Sequence, residues 1–217
     1  MSSMRMAVAI ASLLVAPFVA AQQTAAPSTT ATASAADGAP TVTAVWMEKK
    51  IFFPYMAFTA FYSCDGLRNK VRAALEAIGA RPGFEVKARG CPNLSGPEPL
   101  PWLDIVAAMP IEATAEVLAE LARNAPEREL AAMVTGNDAA DEATARFPAR
   151  PRQISFSDDP MGLFQAGDCE LVEQLRDKVF VPLGARIVSS DMICVPRQVN
   201  VGAVDLTIEV LEPVPVQ

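Results

Sequence analysis

The sequence predicts an α+β fold of two disulfide-linked βαβ(β) repeats, with helices packed on a mixed sheet and a ferredoxin-like arrangement as the alternative. Three observations carry this reading. Four cysteines, Cys64, Cys91, Cys169 and Cys194, fall into two well-separated pairs. An amphipathic helical pattern follows the first cysteine of each pair, and each pattern ends in Gly-Ala-Arg.

In the first half, Ile51–Phe61 is aromatic, broken by Pro54 and too short to cross a bilayer, and it reads as strand. Leu67, Val71, Leu75 and Ile78 then recur at helical spacing. Gly79 stops that helix because glycine enters the left-handed region without penalty, and Phe84–Arg89 follows as strand. In the second half Val172, Leu175, Val179 and Leu183 repeat the helical pattern, Gly184 ends it, and Ile187–Ile193 follows as strand. Pro182 is expected to fray or kink the last turn of this second helix.

Aligned from Cys64 and Cys169, the halves place Gly79-Ala80-Arg81 over Gly184-Ala185-Arg186. Deleting Pro82 and Gly83 brings Cys91 onto Cys194, and Leu103-Asp104-Ile105 then resembles Val204-Asp205-Leu206. An internal duplication is the expectation, with a first half over 42–110 and a second over 153–217. The connector, 111–152, holds a strong helix former at Glu112–Arg123. After it come Glu127–Thr135 as helix or strand, a turn at Gly136–Asp141, further helical character over Asp141–Phe147, and the breakers Pro148 and Pro151.

Residues 1–21 carry Arg5, an apolar run from Ala7 to Val19, and small residues Val19 and Ala21 before Gln22, the pattern of a secretory signal peptide. Residues 22–41 are rich in Ala, Thr and Ser and hold no large apolar side chain, so a disordered tail is expected. The expected location is the periplasm, or outside the cell, with no stable membrane insertion once the leader is removed. That compartment is oxidising, which makes an even number of cysteines a disulfide framework. Four cysteines allow three pairings, and the favoured one is Cys64–Cys91 with Cys169–Cys194. Each bond would close a loop of about 25 residues, worth ~3–4 kcal/mol by chain entropy. The spacings lack the close Cys pairs of a zinc site and the Cys-x-x-Cys of a redox motif. If a third strand separates the two strands of a βαβ unit, the gap is about 10 Å, and the cysteines must lie past the strand ends.

Of the 217 residues, 51% are hydrophobic and 20% charged, which excludes a disordered chain and a polytopic membrane protein. A net charge of −7 argues against binding nucleic acid. Histidine is absent, which removes His-dependent nucleophile systems and imidazole metal sites.

The stretch Phe61–Arg81, with its Tyr-Ser-Cys-Asp-Gly-Leu start and Gly-Ala-Arg end, resembles a group of uncharacterised proteobacterial secreted proteins. Gly167–Phe180 resembles the same group. The resemblance implies export and shared architecture. It carries no activity and no functional residues.

Candidate chemistry is sparse. Asp104 and Asp205 occupy matching strands and are the candidates for a carboxylate dyad, with a free cysteine as the other enzymatic option. Asp158 and Asp159 read as a solvated turn, and Asp65 and Asp168 as caps at helix starts. Arg81 and Arg186 follow both helices and are candidates either for anion binding or for satisfying local carbonyls and acids. Phe52, Phe53, Tyr55, Phe58, Phe61 and Tyr62 form the densest aromatic cluster, and Tyr55, Phe58, Phe61 and Tyr62 are the candidate binding surface. No nucleotide cradle is present. The expectation is an exported, non-catalytic binding or accessory module of the cell envelope with a protein partner, no cofactor and no metal. A histidine-free hydrolase or thiol enzyme is the alternative.

Overall fold

The computed structural model describes residues 40–91, 96–98, 100–135, 145–157, 162–195, 197–198 and 204–215. The expected leader, all but the last two residues of the tail, the turn after residue 135 and the Asp158–Asp159 pair lie outside them. In chain order the elements are β1 (Val42–Pro54), β2 (Tyr62–Ser63), α1 (Cys64–Ala77), β3 (Glu85–Arg89), β4 (Pro97–Glu98) and β5 (Trp102–Glu112). There follow α2 (Ala115–Arg123), α3 (Ala125–Thr135), β6 (Phe147–Ser155), α4 (Cys169–Leu175), β7 (Arg186–Ser190) and β8 (Leu206–Pro213).

Six strands form one sheet in the order β3-β5-β1-β6-β8-β7, and all its neighbouring pairs run antiparallel. β5 separates β1 from β3, and β8 separates β6 from β7, so each half is a split βαβ unit with the same strand order. The halves meet where Val42–Ala44 of β1 pairs with Phe147–Ala149 of β6. The strand that opens the first half therefore reaches back to Val42, ahead of the aromatic run. The strand that opens the second starts at Phe147, inside the segment expected to connect the halves. Glu127–Thr135 is helical, as part of α3. β7 stops at Ser190, short of Ile193.

Alternation places Phe53 of β1 and Leu103, Ile105, Ala107 and Met109 of β5 on one face, where they are buried. Leu67, Val71, Leu75 and Ile78 of the α1 segment and Leu171, Val172, Leu175 and Val179 of the α4 segment pack with them in a single core. At roughly 1.5–3 kcal/mol for each fully buried aliphatic side chain, this shared core is the main stabilising contribution to both halves. A smaller cluster joins Val45 and Met47 of β1 to Leu121 of α2.

Helix α1 and the helical segment that begins with α4 end alike. Ala80 N–H donates to Leu75 O and Gly79 N–H to Glu76 O; Ala185 N–H donates to Phe180 O and Gly184 N–H to Val181 O. These are paired Schellman bonds, and they need the positive φ of Gly79 (83°) and Gly184 (94°). They explain the Gly-Ala of the repeated tripeptide. The α1 end is capped further by Arg152 of β6, whose Nη2 donates to Ala77 O at 3.0 Å. The α4 end widens into a π-turn over Arg176–Phe180, with Val181 N–H donating to Arg176 O. Pro182 accounts for this: it has no N–H, and its ring crowds the carbonyl four residues back.

Cys64 bonds Cys91 and Cys169 bonds Cys194, with Cα separations of 6.1 and 5.7 Å. The intervening strand does keep each βαβ strand pair apart. The cysteines bridge the gap because they sit at helix starts and past the ends of β3 and β7, where the chain has left the ladder.

The two stop glycines differ in their surroundings. A Cβ at Gly79 meets only Arg152 at ordinary contact distance, whereas one at Gly184 collides with Ile111 Cδ1. Gly79→Ala should cost about 1–2 kcal/mol, the left-handed penalty alone, and Gly184→Ala distinctly more, measured by urea unfolding.

Candidate functional site

The aromatic cluster divides. Phe53 and Tyr55 are fully buried, Tyr62 is half-buried, and Phe58 and Phe61 are each 51% exposed. Tyr55 is therefore withdrawn from the candidate binding surface, and Tyr62 contributes to it only in part. The physical reason is that β1 ends at Pro54: the chain from Tyr55 to Phe61 is a loop that turns Tyr55 inward and leaves Met56, Phe58 and Phe61 facing water.

The loop has few main-chain ladder bonds of its own. Tyr55 N–H donates to Pro101 O, and the Tyr55 hydroxyl donates to Ala60 O at 2.6 Å. The rest of its support comes from α4. Glu170 Oε2 accepts the N–H groups of Phe58 (3.1 Å), Thr59 (3.0 Å) and Ala60 (3.4 Å). Gln174 accepts from Met56 N–H and donates to Met56 O. Lys178 donates to Pro54 O and to Gln174 Oε1. Glu170, Gln174 and Lys178 stand four residues apart on one helix face, and together they fix the path of a loop from the other half of the chain.

Asp168, two residues before Glu170, holds the other side of the same region. It is 5% exposed and makes no side-chain cap to α4. Its Oδ2 accepts from Lys70 Nζ at 2.6 Å and from Gln165 N–H at 2.8 Å, and its Oδ1 accepts the Tyr62 hydroxyl. The expected capping role of Asp168 is met on the short 3₁₀ turn Ala166–Asp168, where accepting the Gln165 N–H closes a capping box; the same buried carboxylate also requires charged and hydroxyl partners, and α1 and β2 supply them. Asp65, by contrast, does not cap α1. Ser63 Oγ accepts from Gly66 N–H, while Asp65 pairs with Arg68 at the surface.

The Tyr55 and Tyr62 rings meet at a tilt, their centroids 5.4 Å apart, beside these acids. Burial, then the charges of Glu170 and Asp168, push the Tyr55 phenol well above its usual range. Burial, then the hydrogen bond to Asp168, do the same for Tyr62. A half-open cleft of about 230 Å³ borders the loop, lined by Met56 and Phe58 of the loop, by Glu170, Glu173, Gln174 and Lys178 of the second helical segment, and by Cys194.

The remaining candidates are each engaged separately. Asp104 pairs with Arg89 in the β3–β5 ladder, whereas Asp205 lies just before β8 and accepts from Ser157 Oγ at 2.6 Å. The two aspartates thus serve different halves of the sheet, each with its own local partner. All four cysteines are in disulfides, so the thiol-enzyme option has no free sulfhydryl. Arg81 stacks over Trp46 at 5.6 Å, and Arg186 bonds Glu209, its direct cross-strand neighbour. Glu170 was not visible as a site residue from sequence. The signal for it is the polar stripe Glu170, Gln174, Lys178 on a helix whose other face is apolar.

Two consequences can be measured. The chain has only two tyrosines, and the fold favours the neutral phenol of both. This contribution is complete below the unfolded tyrosine value near ~10 and declines as pH rises beyond it. Phenolate absorbance in the native protein should therefore appear only together with alkaline unfolding. An ordinary titration near pH 10 with the fold intact would contradict this. Secondly, Lys70→Met leaves Asp168 buried without its cation and should cost about 2 kcal/mol or more. Lys50→Met removes a pair whose side chains are 68% and 77% exposed and should change stability by under ~0.5 kcal/mol. Chemical unfolding of the two variants gives the comparison.

Comparison with protein-family models, with curated proteins and with solved structures finds no match to this chain.

Proposed function

We propose that the protein is an exported binding module of the cell envelope, non-catalytic, that contacts a protein partner through the rim of the loop between β1 and β2. The observation that carries this is the exposure of Phe58 and Phe61 on a backbone already fixed by Glu170 and Gln174. Apolar side chains held in place lose little further entropy on association, which is the condition for a useful contact surface. Two disulfides fit an oxidising compartment, and no helix among the described residues is long and apolar enough to cross a membrane. The pattern of residues 1–21, and the likeness of Phe61–Arg81 to secreted proteobacterial proteins, support export to the periplasm.

The shared strand order, the twin Schellman ends and the equivalent disulfides support an origin by duplication of one βαββ unit. Relatives whose two halves, aligned on the cysteines, are more alike than these would strengthen that origin. Relatives with only one of the two Gly-Ala-Arg segments would weaken it.

Two experiments bear on the reading. Protein recovered from a periplasmic fraction should begin at Gln22; recovery of the unprocessed chain only would count against export. Phe58→Ser combined with Phe61→Ser, both at exposed positions, should leave stability within about 0.5 kcal/mol. The pair should also abolish capture of the partner that the native protein retains from envelope extract. Retention of the same partner by the double variant would remove this loop from the interface.

A further inference from the structure

Phe52 of β1 and Trp102 of β5 alternate with the core residues Phe53 and Leu103, so they stand on the face of the sheet turned away from the shared core. They are 61% and 38% exposed, and their rings lie 6.4 Å apart at a tilt of 53°. Trp102 packs on Gly90, just past β3. A Cβ there would sit 2.2 Å from the ring carbon Cζ3 and 2.6 and 2.8 Å from its two neighbours, Cε3 and Cη2. Such similar distances to three successive ring carbons mean that the glycine meets the plane of the indole and not its edge. The backbone therefore holds one face of the ring flat, and the exposure of Trp102 is left to its other face and rim.

The two halves of the chain show that the fold does not ask for a ring beside it. Asp104 is the cross-strand partner of Phe52. The repeat sets Asp205 over Asp104, and the residue that then corresponds to Phe52 is Ser157, whose hydroxyl donates to Asp205. A serine serves this corner of the sheet in one half, whereas the other half places a phenyl ring in water. The charges beside the rings are matched: Lys87 pairs with Glu85, and Arg89 with Asp104 at 3.2 Å. The site thus selects no ion. The Arg89 and Asp104 side chains are each about half exposed, so they present donors and an acceptor side by side.

A pyranose ring of glucose configuration meets all three features. Its hydroxyls are equatorial, so each ring face presents axial C–H bonds, and their partial positive charge suits the negative face of an indole. Adjacent hydroxyls both donate and accept, which matches a guanidinium beside a carboxylate. An apolar side chain of a protein would leave that pair unused. We propose that Trp102, Phe52 and the Arg89–Asp104 pair bind a neutral glycan of gluco-configured rings. One ring stacks on Trp102 beside Phe52, and its hydroxyls bond Arg89 and Asp104. The site shares no residue with the loop surface at Phe58 and Phe61, so each reading stands or fails alone.

The test uses the disulfide-intact, ¹⁵N-labelled protein. The chain has two tryptophans, and Trp102→Phe assigns their indole N–H resonances. Cellotetraose or tetra-N-acetylchitotetraose should shift the Trp102 resonance saturably, with a dissociation constant of about 1 mM or below, and leave Trp46 unmoved. The better of the two distinguishes a glucan from a polymer of N-acetylglucosamine. Sorbitol has the hydroxyls without the ring, and cyclohexanol has a ring without adjacent hydroxyls; each should bind at least about tenfold more weakly. Phe52→Ser copies the residue of the second half at an exposed position, and it should weaken the better sugar about three- to tenfold. Asp104→Asn should weaken it by about the same factor. No saturable shift with either sugar, or undiminished affinity in either variant, would overturn the proposal. Cyclohexanol binding as tightly as the sugar would also overturn it, and would mark an apolar patch suited to a protein surface.

Discussion

Asp168, Cys169 and Glu170 are consecutive residues, and each binds a different part of the chain. Cys169 is bonded to Cys194 within its own half. Its two neighbours reach into the other half, Asp168 to Lys70 and Tyr62, Glu170 to the backbone of Phe58, Thr59 and Ala60. Both carboxylates are more than nine-tenths buried, which is tolerable only where every nearby donor is aimed at them. The disulfide fixes the start of α4, and the acids then fix the aromatic loop and the start of α1 against it. The exposed surface of the molecule at Phe58 and Phe61 inherits its shape from this arrangement.

The sheet makes such a hub necessary. The two halves pair over only three residues of β1 and β6, and β1 then continues along β5 without its second neighbour. Main-chain bonds alone are a slender join. The helices compensate by sharing one core: α1 and α4 cover the same apolar faces of β1, β5 and β8. Lys178, in the π-turn that follows α4, lies over the Phe53 ring and donates to Pro54 O, so the second helical segment is anchored to the end of the first strand as well. In a chain organised this way the halves are units of topology and the packed core is common property.

Much of this was legible beforehand where chemistry is local. Helical spacing, the stop glycines and the disulfide pairing depend on residues within about 25 positions of one another, and they follow from rules that act at that range. Pro182 gave fair notice of the widened last turn. The opening of β1 was less visible, because Lys49 and Lys50 read as the flank of an apolar strand. In fact they lie within it, and their ammonium groups reach Glu120 and Glu127 on α2 and α3. The hub was not legible at all. Asp168 looks like any acid at a helix start, and Glu170 like any first-turn glutamate. What distinguishes them is a set of donors about 100 residues away, which only the tertiary structure brings near. The aromatic run misled for a related reason. Alternation holds to Tyr55 and then lapses in the loop, so the same six rings serve both core and surface.

One buried side chain, Glu170, holds three successive N–H groups of the loop. Native-state hydrogen exchange at Phe58, Thr59 and Ala60 tests it most directly, because these N–H groups lie in a loop and have a carboxylate in place of a ladder partner. Clear protection of all three in the native protein is predicted, with its loss in Glu170→Ala while core amides of β5 and α1 stay protected. Free exchange at these positions in the native protein, or protection undiminished by Glu170→Ala, would contradict the account.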